Sequence, residues 1–183
     1  MTQDDDKIGL FVLVYVNVQQ LMKPLSSHSS QHPRSLFLYG TLRALPLLAW
    51  AITGDSTNVD VVKSLVCPAR IRGYARFSLH GKDYPAVVKH ADTSVVDGLL
   101  FRPQNQSQRK KLDDFEGETY LATQVDVQTD DGAEVADADI YLWNGDLDAI
   151  STEDWDLEKF IRERLDDWLE LFGDMELVGD DED

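Results

Sequence analysis

The sequence predicts one α+β domain built on a small, mostly antiparallel, barrel-like sheet flanked by helices. Three observations carry this. Short apolar or alternating runs recur from Leu36 to Trp143, separated by glycine-containing breaks. Asp130-Asp131-Gly132 is a hairpin turn between two alternating runs. Helical spacing occurs at Leu112 and Phe115, and again from Trp155 to Phe172. The chain has 183 residues, 43% of them hydrophobic, enough for one domain with a substantial core.

Each element follows from local pattern. Leu36 to Tyr39 is a continuous apolar strand, central in the sheet, which Gly40 and Thr41 break. Leu45 to Ile52 reads as a helix with Pro46 in its first turn and Gly54 as its stop. Residues Asp55 to Asp60 read as a loop, and Val61 to Val66 as an apolar run. Ala69 to Phe77 alternates and predicts one strand with a bulge or bend at Gly73. Gly81 to Asp83 is a turn. Tyr84 to Val88 follows, with Pro85 marking an edge or bulge.

Ser94 to Phe101 is a further strand with Gly98 inside it. Asn105 to Phe115 is a short amphipathic helix capped by Gly117. Tyr120 to Thr129 and Ala136 to Trp143 are the two hairpin strands. Ser151-Thr152-Glu153-Asp154 has the pattern of a capping box, which predicts one long amphipathic helix over 152–172. Its apolar stripe is core.

The N-terminal region is different in character. Ile8 to Val18 is apolar but too short to span a bilayer, and Asp4, Asp5 and Asp6 stand where a secretory signal carries positive charge. It reads as an extra strand or a loosely attached extension, followed by a polar, serine-rich linker. The expected organisation is an extension over 1–34, a domain over 35–172 and an acidic tail over 173–183.

Net charge is −17, and residues 144–183 hold 16 acids against 3 bases. Such a surface repels phosphate backbones, so nucleic acid is not an expected partner. Nor is a membrane. Cys67 is the only cysteine, and it lies in an apolar run as buried filler. No disulfide can form within the chain, which predicts a reducing, cytoplasmic setting.

The chemistry is equally bounded. His28, His32, His80 and His90 make no ligand pair at helical or hairpin spacing, so no metal and no cofactor are expected. No nucleophile elbow, phosphate loop or dinucleotide fingerprint occurs. Tyr39-Gly40-Thr41-Leu42 is more informative. Glycine at the end of a buried strand lets the backbone turn sharply, and successive N–H groups before a helix form an anion-binding nest. Glu116 is the second candidate. It follows core-facing Phe115 and precedes the capping glycine, whereas Asp113 and Asp114 read as solvated helix positions. A carboxylate enclosed by apolar groups has a raised pKa and accepts protons near neutral pH.

Six segments together resemble the gamma-glutamylcyclotransferase-like superfamily. They are Phe37 to Arg43, Tyr84-Pro85-Ala86, Val96 to Phe101, Leu112 to Gly117, Tyr120, and Ala138 to Trp143, in order over roughly residues 35–145. The branch they resemble is that of the plant and fungal avirulence-induced-gene-like proteins and gamma-glutamylamine cyclotransferases.

The resemblance implies a small β-barrel flanked by helices and a cofactor-independent enzyme. It implies that Tyr39, Gly40, Thr41 and Leu42 line a cavity for a γ-glutamyl group, with Tyr84, Pro85 and Tyr120 in its wall and Glu116 as acid/base. The implied reaction converts a γ-glutamyl amide of a small molecule to 5-oxoproline and a free amine. Family members often carry arginine two residues after the tyrosine, where this chain has Ala122; a polar contact or the choice of substrate differs accordingly. Arg43, Arg70, Arg72 and Arg76 could attract an anionic substrate. The same pocket and carboxylate would also suit a tailoring enzyme of specialised metabolism performing cyclisation, elimination or proton abstraction. A further alternative is a non-catalytic binding module.

Overall fold

Strand β1 (Ser35–Leu38) turns Leu36 and Leu38 to one side and Phe37, with Tyr39 beyond it, to the other, and all four are buried. This is the period-two pattern of a strand covered on both faces. The computed structural model describes residues 32–132 and 135–173. After β1, a single 3-10 turn (Thr41–Arg43) leads into helix α1 (Leu45–Thr53). Pro46 sits in its first turn, and Gly54, at φ 78°, caps its end with an N–H bond to Trp50 O.

A short helix α2 (Val59–Lys63) follows, joining the end of the expected loop over 55–60 to the start of the apolar run over 61–66. Val62 is the side chain that anchors it in the core. Strands β2 (Val66–Arg72) and β3 (Tyr74–Ser78) replace the single strand expected over 69–77. Burial alternates along β2, with Ala69 and Ile71 buried and Arg70 and Arg72 exposed, and the pattern stops at Gly73, which adopts φ 80° and sends the chain into a separate sheet. There β3 pairs antiparallel with β4 (Pro85–Lys89).

Strand β5 (Val95–Phe101), helix α3 (Gln106–Glu116) and the long hairpin β6 (Tyr120–Thr129) and β7 (Val135–Trp143) complete the body. The barrel is closed, in the order β1-β5-β2-β6-β7, with β7 returning to β1. That last pairing is parallel and the other four are antiparallel. Gly98 is where β5 crosses β1 most closely. A Cβ there would lie 2.4 Å from Leu38 O and 2.6 Å from the Phe37 ring.

Apolar side chains from all five barrel strands, among them Phe37, Ile71, Leu100, Val127 and Ile140, form one buried cluster. A second cluster joins the outer face to the helices through Leu36, Leu47, Leu48, Phe101, Leu112 and Phe160.

The expected helix over 152–172 is two helices, α4 (Leu157–Glu163) and α5 (Leu165–Gly173). Ser151 does not cap a helix. Its hydroxyl accepts from Glu153 N–H in a local turn, and Asp156 caps α4 by accepting from the N–H groups of Glu158 and Lys159. The break falls at Arg164, whose φ of −131° departs from helical geometry. Among the described residues no helix is long and apolar enough to cross a membrane. The extension over residues 1–31 and the acidic tail beyond Gly173 lie outside the described residues.

Candidate active site

One end of the barrel opens into a small, narrow cleft that is partly continuous with solvent. Its lining comes from four places. Phe37 to Leu42 supply β1 and the turn after it, Tyr84 and Pro85 the start of β4, Glu116 the end of α3, and Tyr120 and Tyr141 the hairpin. All eight residues singled out from the sequence therefore meet around a single space.

The turn after β1 is held open. Arg43 N–H donates to Gly40 O and Ala44 N–H to Thr41 O, both at 3.0 Å. The N–H groups of Gly40, Thr41 and Leu42 have no acceptor among the described residues. Gly40 is required by close approach, since a Cβ there would sit 3.0 Å from Pro85 Cγ and 3.1 Å from Cδ. The turn is pinned at both ends. Arg76 donates to Tyr39 O at 3.0 Å and to Asp97 Oδ1 at 2.9 Å, while Arg43 donates to Asp97 Oδ2 at 2.6 Å.

Glu116 lies opposite, in the last position of α3, whose N-terminus is capped by Asn105 accepting from Gln108 N–H. Gly117, at φ 66°, ends the helix there. Glu116 keeps some solvent contact because it lines the cleft, yet its carboxyl is deep in the protein. It has no hydrogen bond or ion pair among the described residues. Burial alone pushes its pKa from 4.5 up to about 8.

Three tyrosines respond to this acid. Burial, with the nearby Tyr120 and Glu116 charges, raises Tyr39 well above the ordinary tyrosine range. Tyr120 is raised by burial and then by Glu116, and Tyr141 by burial and then by its bond to Asp113. All three remain neutral donors at physiological pH. Tyr39 Oη donates to Tyr141 O, Tyr120 Oη to Pro85 O at 2.8 Å, and Tyr141 Oη to Asp113 Oδ1 at 2.6 Å. Tyr84 meets Tyr120 and Trp168 edge-on, each at 6.4 Å.

The wall bearing Tyr84 is braced from the C-terminal segment, by Trp155 ahead of α4 and Trp168 on α5. Trp155 Nε1 donates to Asp83 O at 2.8 Å, and Trp168 Nε1 to Asp83 Oδ2 at 3.1 Å.

A bare carboxylate facing unpaired main-chain donors can take a proton from a substrate and stabilise negative charge at a carbonyl. Among the described residues, no group of three or more His, Cys, Asp or Glu could hold a metal ion.

Residues 36–157 match the family described as gamma-glutamyl cyclotransferase, AIG2-like. The chain belongs to this family. Similar relatives include Protein AIG2 C of Arabidopsis thaliana, 29% identical over 149 residues, covering 80% of this chain and 85% of that one. AIG2-like protein C of the same plant is 26% identical over 134 residues, 73% of each chain. Two solution structures of Arabidopsis thaliana proteins share the fold. One has a TM-score of 0.53 at 24% identity, covering 81% of this chain and 84% of that one. The other has a TM-score of 0.52 at 23% identity, covering 81% and 93%. Membership of this family supports an enzyme of the gamma-glutamyl cyclotransferase type.

Several residues play parts that their local sequence does not announce. Arg43, Arg70, Arg72 and Arg76 do not line the cleft. Arg43 and Arg76 are committed to Asp97, and Arg70 pairs with Asp130 at 2.9 Å. Asp113 is not a merely solvated helix position, since it accepts from both Tyr141 and Arg109. Tyr141 lines the cleft although the sequence did not single it out as a site residue; it lies within the resemblance segment Ala138 to Trp143, and the alternation puts it on the same face of β7 as Asp139. Cys67 is half-buried rather than sealed, and Arg102 Nη1 donates to its Sγ at 3.2 Å. Ala122 is exposed on β6, away from the cleft lining.

Proposed function

We propose that the protein is a cyclotransferase that converts a γ-glutamyl amide into 5-oxoproline and a free amine. The observation that carries this is the pairing of an unpartnered, buried Glu116 with the open N–H groups of Gly40 to Leu42 across one cleft.

The α-amine nitrogen of the substrate attacks its own γ-carbonyl carbon. A C–N bond forms to close the five-membered lactam, the γ-amide C–N bond breaks, and the amine leaves. Both reacting groups belong to one molecule, so holding the folded conformer supplies an effective molarity of about 10⁵ M or more. The α-amine is protonated at neutral pH and must first lose a proton. Glu116 takes it and returns it to the departing nitrogen; the second proton, which the attacking nitrogen sheds as the lactam forms, leaves with the product amine as its ammonium.

The raised pKa suits this role. An α-amine titrates at roughly 8, which matches the value of about 8 for Glu116. Transfer between matched groups is near thermoneutral. An ordinary glutamate would make the same step uphill by roughly 5 kcal/mol. The N–H groups of Gly40, Thr41 and Leu42 receive the tetrahedral oxyanion or the substrate α-carboxylate, and Tyr84, Pro85 and Tyr120 bound the space for the leaving amine.

The test is 5-oxoproline release from γ-glutamyl amines, γ-glutamyl dipeptides and glutathione. Turnover of at least one of these is expected, with Glu116→Gln slower by about 10³-fold. The acid limb of the kcat/KM profile should rise with pH toward about 8, as free Glu116 ionises. A wild-type protein and a Glu116→Gln variant equally inactive across the panel would refute the proposal.

A further inference from the structure

We infer that Tyr141 and Asp113 form a positioning pair that holds the last turn of α3, and with it Glu116, against the open end of the barrel. The inference rests on the cyclotransferase reading and deepens it.

Tyr141 touches both halves of the cleft. Its carbonyl accepts the Tyr39 hydroxyl at the end of β1, one residue before Gly40. Its own hydroxyl donates to Asp113 Oδ1 at 2.6 Å, three residues before Glu116 on α3. Residues three apart on a helix share a face, so a bond at 113 fixes the turn from which 116 projects. Asp113 is fixed in its turn. Arg109 Nε donates to its two oxygens at 3.0 and 3.2 Å. Arg109 also pairs with Asp139 at 2.7 Å, two residues before Tyr141 on the same face of β7. Helix and strand are thus joined at two successive positions, and the joints are linked to each other.

This arrangement answers a difficulty of the site. A general base must be held within hydrogen-bond reach of its proton, and a misplacement of about 1 Å is worth about 10²-fold in rate. The direct solution, a donor on the Glu116 carboxylate, would stabilise the ionised form and draw its pKa back down. Holding the helix through Asp113 leaves the Glu116 oxygens bare and still positioned. Lys110 and Asp114, on the same helix, form an exposed pair and serve no such role.

The experiment uses the full chain with Tyr141→Phe, Asp113→Ala and Asp113→Asn. The Glu116 carboxyl is followed by carbon NMR in glutamate-labelled protein, its resonance identified by its loss in Glu116→Gln. The titration midpoint, about 8 in the wild type, should fall by about one unit or more in Tyr141→Phe and in Asp113→Ala, as the loosened turn lets water reach the carboxyl. Asp113→Asn keeps an oxygen for the tyrosine O–H and should stay close to the wild type.

In 5-oxoproline release, Tyr141→Phe should lose about 10- to 100-fold in kcat with KM changed less than about threefold. The double variant Tyr141→Phe/Asp113→Ala should be no slower than the worse single one. An unmoved midpoint in folded Tyr141→Phe, or losses that multiply in the double variant, would overturn the pairing. Should Tyr141→Phe not fold, Asp113→Ala removes the same bond from the solvent side. If the wild type turns over no γ-glutamyl amide, the cyclotransferase reading falls while the titration still decides the positioning role.

Discussion

Asp113 and Glu116 stand three residues apart on one helix and live in opposite electrostatic worlds. Asp113 belongs to a seam of alternating charge in which Arg34 binds Asp137 and Asp139, and Arg109 binds Asp139 and Asp113. Glu116 faces a cleft whose lining holds no lysine or arginine. In the seam each half-buried charge has an opposite charge within 3 Å or so, which offsets its desolvation. In the cleft the desolvation of one acid is left uncompensated, and the result is a carboxyl pushed up to about 8. The seam spends its charges on holding helix to strand. The cleft keeps one charge unspent, available to a substrate.

Removing a charge should therefore have opposite consequences in the two regions. Destabilisation is expected for Asp139→Ala, which removes the acid that Arg34 and Arg109 share and leaves Arg34 with Asp137 and Arg109 with Asp113. Their side chains are 34% and 13% exposed and that of Asp139 is 12% exposed, and each arginine keeps one acid, so the loss should be about 2 kcal/mol, short of that for an unpaired buried charge. Urea unfolding at pH 7 measures it, and a loss below about 1 kcal/mol would break the contrast drawn here.

In the cleft, Glu116→Gln should stabilise the protein above pH 4.5, by an amount that grows until about pH 8 and is kept beyond it. The folded-state pKa is raised above the unfolded one, so the folded protein binds more protons between pH 4.5 and about 8, and wild-type stability falls as pH rises through that window. The variant lacks this slope. The difference should be near zero at pH 4.5 and reach about 2–4 kcal/mol by pH 8, less than the full shift because water enters the cleft. Parallel unfolding curves for wild type and variant at both ends of the range would show that the acid is not desolvated.

The smallest effect is geometric. Gly40→Ala inserts a Cβ 3.0 Å from Pro85 Cγ, and a shift of a few tenths of an ångström in the donor turn should lower kcat/KM about tenfold. Stability should change little, so a large fall in Tm would instead assign Gly40 to folding.

Much of the architecture was legible before any coordinates. The runs at Leu36 to Tyr39, Tyr120 to Thr129 and Ala136 to Trp143 became β1, β6 and β7, and Gly54 and Gly117 ended helices as their conformational freedom predicts. Local pattern misled where a neighbour's demand outweighed it. The alternation read over Ala69 to Phe77 holds in burial only as far as Arg72, where Gly73 divides the run between two sheets, because period-two patterning says which face is buried and not against what. Ser151 carries a capping sequence, but its backbone lies beside β3, where Ser151 N–H bonds Ser78 O, so the helix begins only at Asp156. Asp113 and Asp114 are adjacent and chemically alike; only the fold brings Tyr141 to one of them.

Read by itself, the chain marked most of the strands and helices, the glycines that end them, and which loop and which acid could do chemistry, because these follow from covalent geometry and side-chain periodicity. The packed structure alone decided that loop and acid share a cleft, that among the described residues no donor reaches the acid, and that Tyr141 bridges the two. Desolvation is set by everything within several ångströms of a charge, and around Glu116 those neighbours come from β1, β4, β6 and β7, segments as far apart as Phe37 and Tyr141.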